Sequence, residues 1–219
     1  MKINPMHQKG ENVKERSSRP NKRHHLKESL ILIEGLEIGS MVGLTGPYPH
    51  AELDVLNTFP EAEIHCCELD KSTYQELVEN IAQDNLDLEN VHNRDFKEVL
   101  DDFPADLVFT DLCGNITATG NNHMDLVEAS FRDSPKAVIV TGSTMGAAPK
   151  SRKILEERFG IKRSDFPDHR QYMNAVAIKL ANTGDSDYKL IRSKRYRDQV
   201  TSNYGMTMDT YTFVRKDLI

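Results

Sequence analysis

The sequence predicts an α/β fold built on a mostly parallel sheet, and three observations predict it. Short β-rich runs alternate with helical stretches from residue 24 onward, the pattern of a parallel sheet covered by helices on both faces. The chain closes with two alternating runs, 188–196 and 208–215. No long crossover helix lies between them, so they form an antiparallel pair. Finally, 219 residues, 38% of them hydrophobic and 28% charged, suit one soluble core.

Each element follows in order. Residues 24–36 read as a helix, with Leu26, Leu30 and Ile33 on one face and Gly35 near its end. Ser40-Met41-Val42-Gly43-Leu44 is a short strand broken by Thr45-Gly46-Pro47, and 50–59 is the next helix. A second strand over 62–67 ends at Glu68. The helix over 71–85 is the clearest, with Tyr74, Leu77, Val78 and Ile81 at helical spacing. A brief third strand, 90–93, stops at Asp95, and a fourth, 105–110, ends at Asp111. A helix over about 122–132, a fifth strand over 136–140 and helices over 149–159 and 168–181 lead to the terminal pair.

Charge is unevenly placed. The net charge is -6, but residues 1–27 carry eight Lys or Arg against two acids, a local balance of +6, and the rest of the chain stands at -12. Such a basic arm on an acidic body reads as a disordered tail able to hold an anionic partner, or as a solubilising tail. The domains expected are therefore the arm, 1–27, and one domain over 28–219. No apolar run approaches the roughly 18 residues that cross a bilayer, and three cysteines make no disulfide framework. The expected location is cytoplasmic. The eight histidines show no metal-ligand spacing, so no metal site is expected.

In an open parallel sheet the ligand lies beyond the carboxyl ends of the strands. Those ends carry Thr45-Gly46-Pro47-Tyr48-Pro49, then Glu68, Asp95 and Asp111. An acid after the second strand can accept both hydroxyls of a ribose, one after the third an adenine amine, and one after the fourth can face a second substrate. The competing role is helix capping, to which Asp95 and Asp70 are both suited.

On these residues the chain resembles the class I S-adenosylmethionine-dependent methyltransferases. The best-matching stretch runs through Glu63-Ile64-His65-Cys66-Cys67-Glu68-Leu69-Asp70, Asn90-Val91-His92-Asn93-Arg94-Asp95-Phe96 and Asp106-Leu107-Val108-Phe109-Thr110-Asp111-Leu112. The resemblance implies a Rossmann-like, three-layer fold with a seven-stranded mixed sheet whose last two strands are antiparallel. It also implies an S-adenosylmethionine pocket formed by Gly43, Thr45, Gly46, Pro47, Glu68, Leu69, Asp95, Phe96 and Asp111. Glu68 would hold the ribose, Asp95 and Phe96 would border the adenine, and Asp111 would be the catalytic-side residue near the methyl group. The sequence departs from that family at the first strand, where Val42 stands in the position of the usual acid and only Gly46 clearly remains of the glycines. Pro47, Tyr48 and Pro49 stiffen and crowd the loop through which glycines let backbone approach a ligand.

Asp111-Leu112-Cys113-Gly114-Asn115 lacks the paired prolines of amino methyltransferases of nucleic acids. Cys113 reads as a small strand-end residue rather than a nucleophile. The segment 142–151 fails the phosphate-loop pattern. The leading expectation is methyl transfer to nucleic acid, bound through residues 1–27 and Lys150, Arg152 and Lys153. The alternative is a non-catalytic protein of the same fold that binds nucleic acid or a protein partner.

Overall fold

Seven strands form one sheet in the order β3-β2-β1-β4-β5-β7-β6. They are β1 (Ser40–Leu44), β2 (Glu63–Cys67), β3 (Asn90–His92), β4 (Leu107–Asp111), β5 (Ala137–Ser143), β6 (Tyr188–Thr201) and β7 (Tyr204–Arg215). The computed structural model describes residues 20–86, 88–112, 114–118, 122–143, 149–184, 187–201 and 204–219. Strands β1 to β5 pair in parallel, whereas β7 runs antiparallel to both β5 and β6. The expected mixed sheet and its antiparallel end are both present.

The helices are α1 (Pro20–Ile33), α2 (His50–Thr58), α3 (Lys71–Gln83), α4 (Phe96–Asp102), α5 (His123–Ala129), α6 (Pro149–Phe159) and α7 (His169–Ala181). They divide between two cores because the strands are apolar on both faces. On one face Leu26, Leu30 and Ile33 of α1, Val55 of α2 and Leu77 of α3 pack over Met41, Ile64, Cys66, Phe109 and Ile139. On the other face Val99 of α4, Val127 of α5, Leu155 of α6 and Val176 of α7 pack over Val42, Cys67, Val108, Val138 and Phe213. Val42, where the family resemblance implies an acid, belongs to the core.

Two boundaries differ most from expectation, besides the ends of α1 at Ile33, α5 at Ala129 and β5 at Ser143. The basic arm, read as extending to residue 27, gives way to helix at Pro20. Proline is pre-organised for the first helical position, and the cations that follow find anions in the fold. Arg23 donates to both carboxylate oxygens of Asp54 at 2.6 and 3.0 Å, and Lys22 pairs with Asp111. The terminal hairpin is also longer than 188–196 and 208–215. Beyond the last pairing with β5 (Ser143↔Met208), β6 and β7 continue together through Arg197↔Thr207 to Thr201↔Tyr204. No helix among the described residues is long and apolar enough to cross a membrane.

If α1 is integral to the domain, Leu30→Ala should lower stability to urea by about 2–5 kcal/mol, since Leu30 is buried. Leu32→Ala on the exposed side of the same helix should change it by under about 0.5 kcal/mol. Equal, small effects would mean that the helix does not pack on the sheet.

Candidate functional site

The strand order reverses between β1 and β4, and the crevice outside their carboxyl ends is where a ligand is held in an open sheet of this kind. The residues of the β1 turn are placed first. Thr45 extends the strand by one bond, its N–H donating to the carbonyl of Cys67 at 2.9 Å. A Cβ at Gly46 would meet nothing within 4 Å, so the loop presents open space there. The Pro47 carbonyl accepts from Asn80 Nδ2 at 2.8 Å, and the Tyr48 hydroxyl bonds Asp84, so α3 fixes the loop.

Gly43 has a different role. A Cβ there would lie 2.7 Å from Oε1 of Glu52, so the glycine makes room for a carboxyl group arriving from α2. Glu52 is 1% exposed, and its Oε1 accepts the Thr45 hydroxyl at 2.6 Å. Burial pushes its pKa up to about 7.

At the end of β2, Glu68 is half-buried and its Oε1 accepts the backbone N–H of Asp70 at 2.8 Å. Burial raises its pKa. Leu69, beside it, is 63% exposed. Asp70 is the N-cap of α3: Oδ1 accepts from the backbone N–H of Thr73 at 2.9 Å and from the Ser72 hydroxyl at 2.6 Å. Those bonds hold its pKa down to about 2. Asp95 caps α4 in the same way, accepting from the Lys97 N–H at 2.9 Å, and Phe96 is buried in the core.

Asp111 ends β4. Its Oδ1 accepts from the Thr141 hydroxyl at 2.5 Å, across the register pair Asp111↔Thr141, and its Oδ2 pairs with the Lys22 ammonium. The first turn of α1 therefore reaches the carboxyl end of β4. The structure brings Gly46, Glu68, Leu69 and Asp111 to one end of the sheet, whereas Gly43 and Phe96 serve packing. Cys113 and residues 144–148 lie outside the described residues.

Lys150, Arg152 and Lys153 are exposed at the start of α6, which follows the end of β5. His24, His25 and Glu28 also converge, with ligand atoms within 4.8 Å of one another. Arg192 donates into that group, to Glu28, and lies 3.1 Å from His25 Nδ1, so a cation already serves it.

Sequence reasoning missed Glu52 and Lys22. The available signal for Glu52 was its place in the first turn of the helix after the Gly46 loop, where an acid is favoured by the helix dipole. Lys22 carried no signal beyond membership of a charge run.

No protein-family model and no curated protein matches the sequence. Solved structures match its fold. Precorrin-6y C5,15-methyltransferase from Geobacter metallireducens superposes with a TM-score of 0.57 at 12% identity, over 93% of this chain and 93% of that one. An O-methyltransferase from Bacillus cereus, solved with SAH, gives 0.53 at 13% identity over 92% and 86%. A Pyrococcus horikoshii protein described as a candidate RNA methyltransferase gives 0.52 at 16% identity over 87% and 83%. The likeness establishes the class I methyltransferase fold.

Asp70→Ala should destabilise the protein by about 1 kcal/mol through loss of the cap. Because the carboxylate's pKa is lowered on folding to about 2, its contribution is fully present above the unfolded value near 4 and disappears as pH falls toward 2. The gap between wild type and variant, measured by urea unfolding, should close over that range. A gap independent of pH would contradict the capping role.

Proposed function

We propose that the protein is an S-adenosylmethionine-dependent methyltransferase whose acceptor is a nucleic acid. The observation that carries the reading is the row at the carboxyl ends of β1, β2 and β4: an open Gly46 loop, a half-buried Glu68 beside exposed Leu69, and Asp111. These residues fit the cofactor's parts. Glu68 accepts from the ribose hydroxyls, Leu69 and the turn at Asp95 and Phe96 flank the adenine, and the missing side chain at Gly46 lets backbone approach the amino-acid portion, between Thr45 and Pro47. When bound, the cofactor supplies an electrophilic methyl group on a sulfonium. The protein's work is then alignment of the acceptor with that group, with Asp111 holding the acceptor side.

Charge supports the acceptor class. Lys150 and Arg152 occupy the first turn of α6, where the helix dipole disfavours cations and an anionic partner relieves the repulsion; Lys153 follows one residue on, 3.7 Å from Glu157. Residues 1–19 add five Lys or Arg against two acids on the chain leading into α1. One observation favours the second reading, a non-catalytic protein of this fold that binds nucleic acid or a protein partner: Lys22 already engages Asp111.

Glu68→Ala should weaken S-adenosylmethionine binding by about ten- to a hundredfold, because bonds to a charged acceptor are worth roughly 1.5–3 kcal/mol each. Its stability should change little. Calorimetric titration decides: no binding by wild type favours the non-catalytic reading, and binding indifferent to Glu68 removes the ribose assignment.

For the acceptor, replacing Lys150, Arg152 and Lys153 with alanine should weaken binding to single-stranded RNA and flatten its salt dependence by up to about two units of slope. Deleting residues 1–19 should act in the same direction. Unchanged affinity and slope in both variants would exclude a nucleic-acid acceptor at this surface.

A further inference from the structure

We propose that Glu52 recognises the cationic part of the cofactor, giving up a proton as a sulfonium-bearing ligand enters the crevice above the β1 loop. This rests on the methyltransferase reading and adds a residue and a discrimination to it. The geometry is specific. Glu52 is carried by α2, not by a strand, into a gap that exists because residue 43 has no side chain, since a Cβ there would stand 2.7 Å from Oε1. Its carboxyl is tied to the loop itself through the Thr45 hydroxyl at 2.6 Å. It lies at the reversal of strand order, where Lys22 and Asp111 also meet.

The charges around Glu52 are finely opposed. Lys22 from α1 favours its ionised form, and Asp111 from β4 opposes it. From β2 come the thiols of Cys66 and Cys67, both held neutral by burial. The Thr45 hydroxyl and Glu52's own backbone N–H stabilise the carboxylate, and burial works against it more strongly than either. Burial thus holds its pKa up at about 7, and one added positive charge beside it favours the ionised form. S-adenosylmethionine brings that charge, whereas the demethylated product has a neutral sulfur. An ionised Glu52 thus holds the substrate form of the cofactor and has less hold on the product.

The test is calorimetric titration of the full chain at pH 7 with S-adenosylmethionine and S-adenosylhomocysteine, in two buffers of different ionisation enthalpy. Wild type should release about half a proton on binding S-adenosylmethionine and less on binding S-adenosylhomocysteine. In Glu52→Gln that release should vanish. Affinity for S-adenosylmethionine should fall about tenfold while that for S-adenosylhomocysteine moves under about threefold, the loss of one favourable charge contact. Thr45→Val keeps the carboxyl but removes its donor, so the rise of S-adenosylmethionine affinity with pH should move to higher pH.

Equal proton release by wild type and Glu52→Gln would overturn the proposal, as would an equal loss of affinity for both ligands, the mark of a purely structural role. If Glu52→Gln does not fold, proton release by wild type that is the same for both ligands overturns it instead. Wild type binding neither ligand is the separate outcome that removes the methyltransferase reading as a whole.

Discussion

Reversal of strand order between β1 and β4 is the constraint on which the rest of this structure depends. The chain leaves β1 for α2 on one face and reaches β4 from α4 on the other, so no connection covers the gap between their ends. Around that gap three acids lie close to the sheet: Glu52 and Asp54 from α2, both buried, and Asp111 from β4. Unpaired acids in such a place would be costly. The first turns of α1 answer two of them, Lys22 pairing with Asp111 and Arg23 and Lys27 with Asp54, the last at 3.6 Å, while Glu52 accepts the Thr45 hydroxyl.

That arrangement explains why α1 is built in two halves. Its lower half is apolar and packs through Leu26, Leu30 and Ile33. Its upper half is polar, and a hydrogen-bonded chain runs from buried Thr212 and Ser29 to half-buried Arg192 and Glu28 and to His25, with Thr212 Oγ1 to Ser29 Oγ at 2.8 Å. The apolar half holds the helix in place while the polar half neutralises the strand ends. The same helix that completes the core therefore sets the electrostatics of the candidate site.

How much of this was legible in the sequence depended on the kind of signal. Strands with dense apolar runs and the helix at Lys71–Gln83, with its regular spacing, declared themselves. So did Asp70 as a cap, because capping is local and the residue stands immediately before that helix. Glu52 was not legible, since the family resemblance implies an acid on the strand, where Val42 stands, and only three-dimensional packing brings a helix carboxyl to Gly43, which makes room for it. The boundary at Pro20 was hidden for a related reason: Lys22, Arg23 and Lys27 look like a solvated run until the fold supplies Asp111 and Asp54. The hairpin beyond Tyr196 is polar, so it lacked the apolar alternation that marks a strand.

Amide hydrogen exchange of the full chain with and without S-adenosylmethionine tests the central claim, that the strand ends around the β1–β4 reversal form the cofactor site. The account predicts slowed exchange on ligand addition at residues 44–49 and 68–71, with no change at the opposite end of the sheet around Ser134 and Lys216. Exchange unaltered by the ligand, or protection confined to that opposite end, would contradict it.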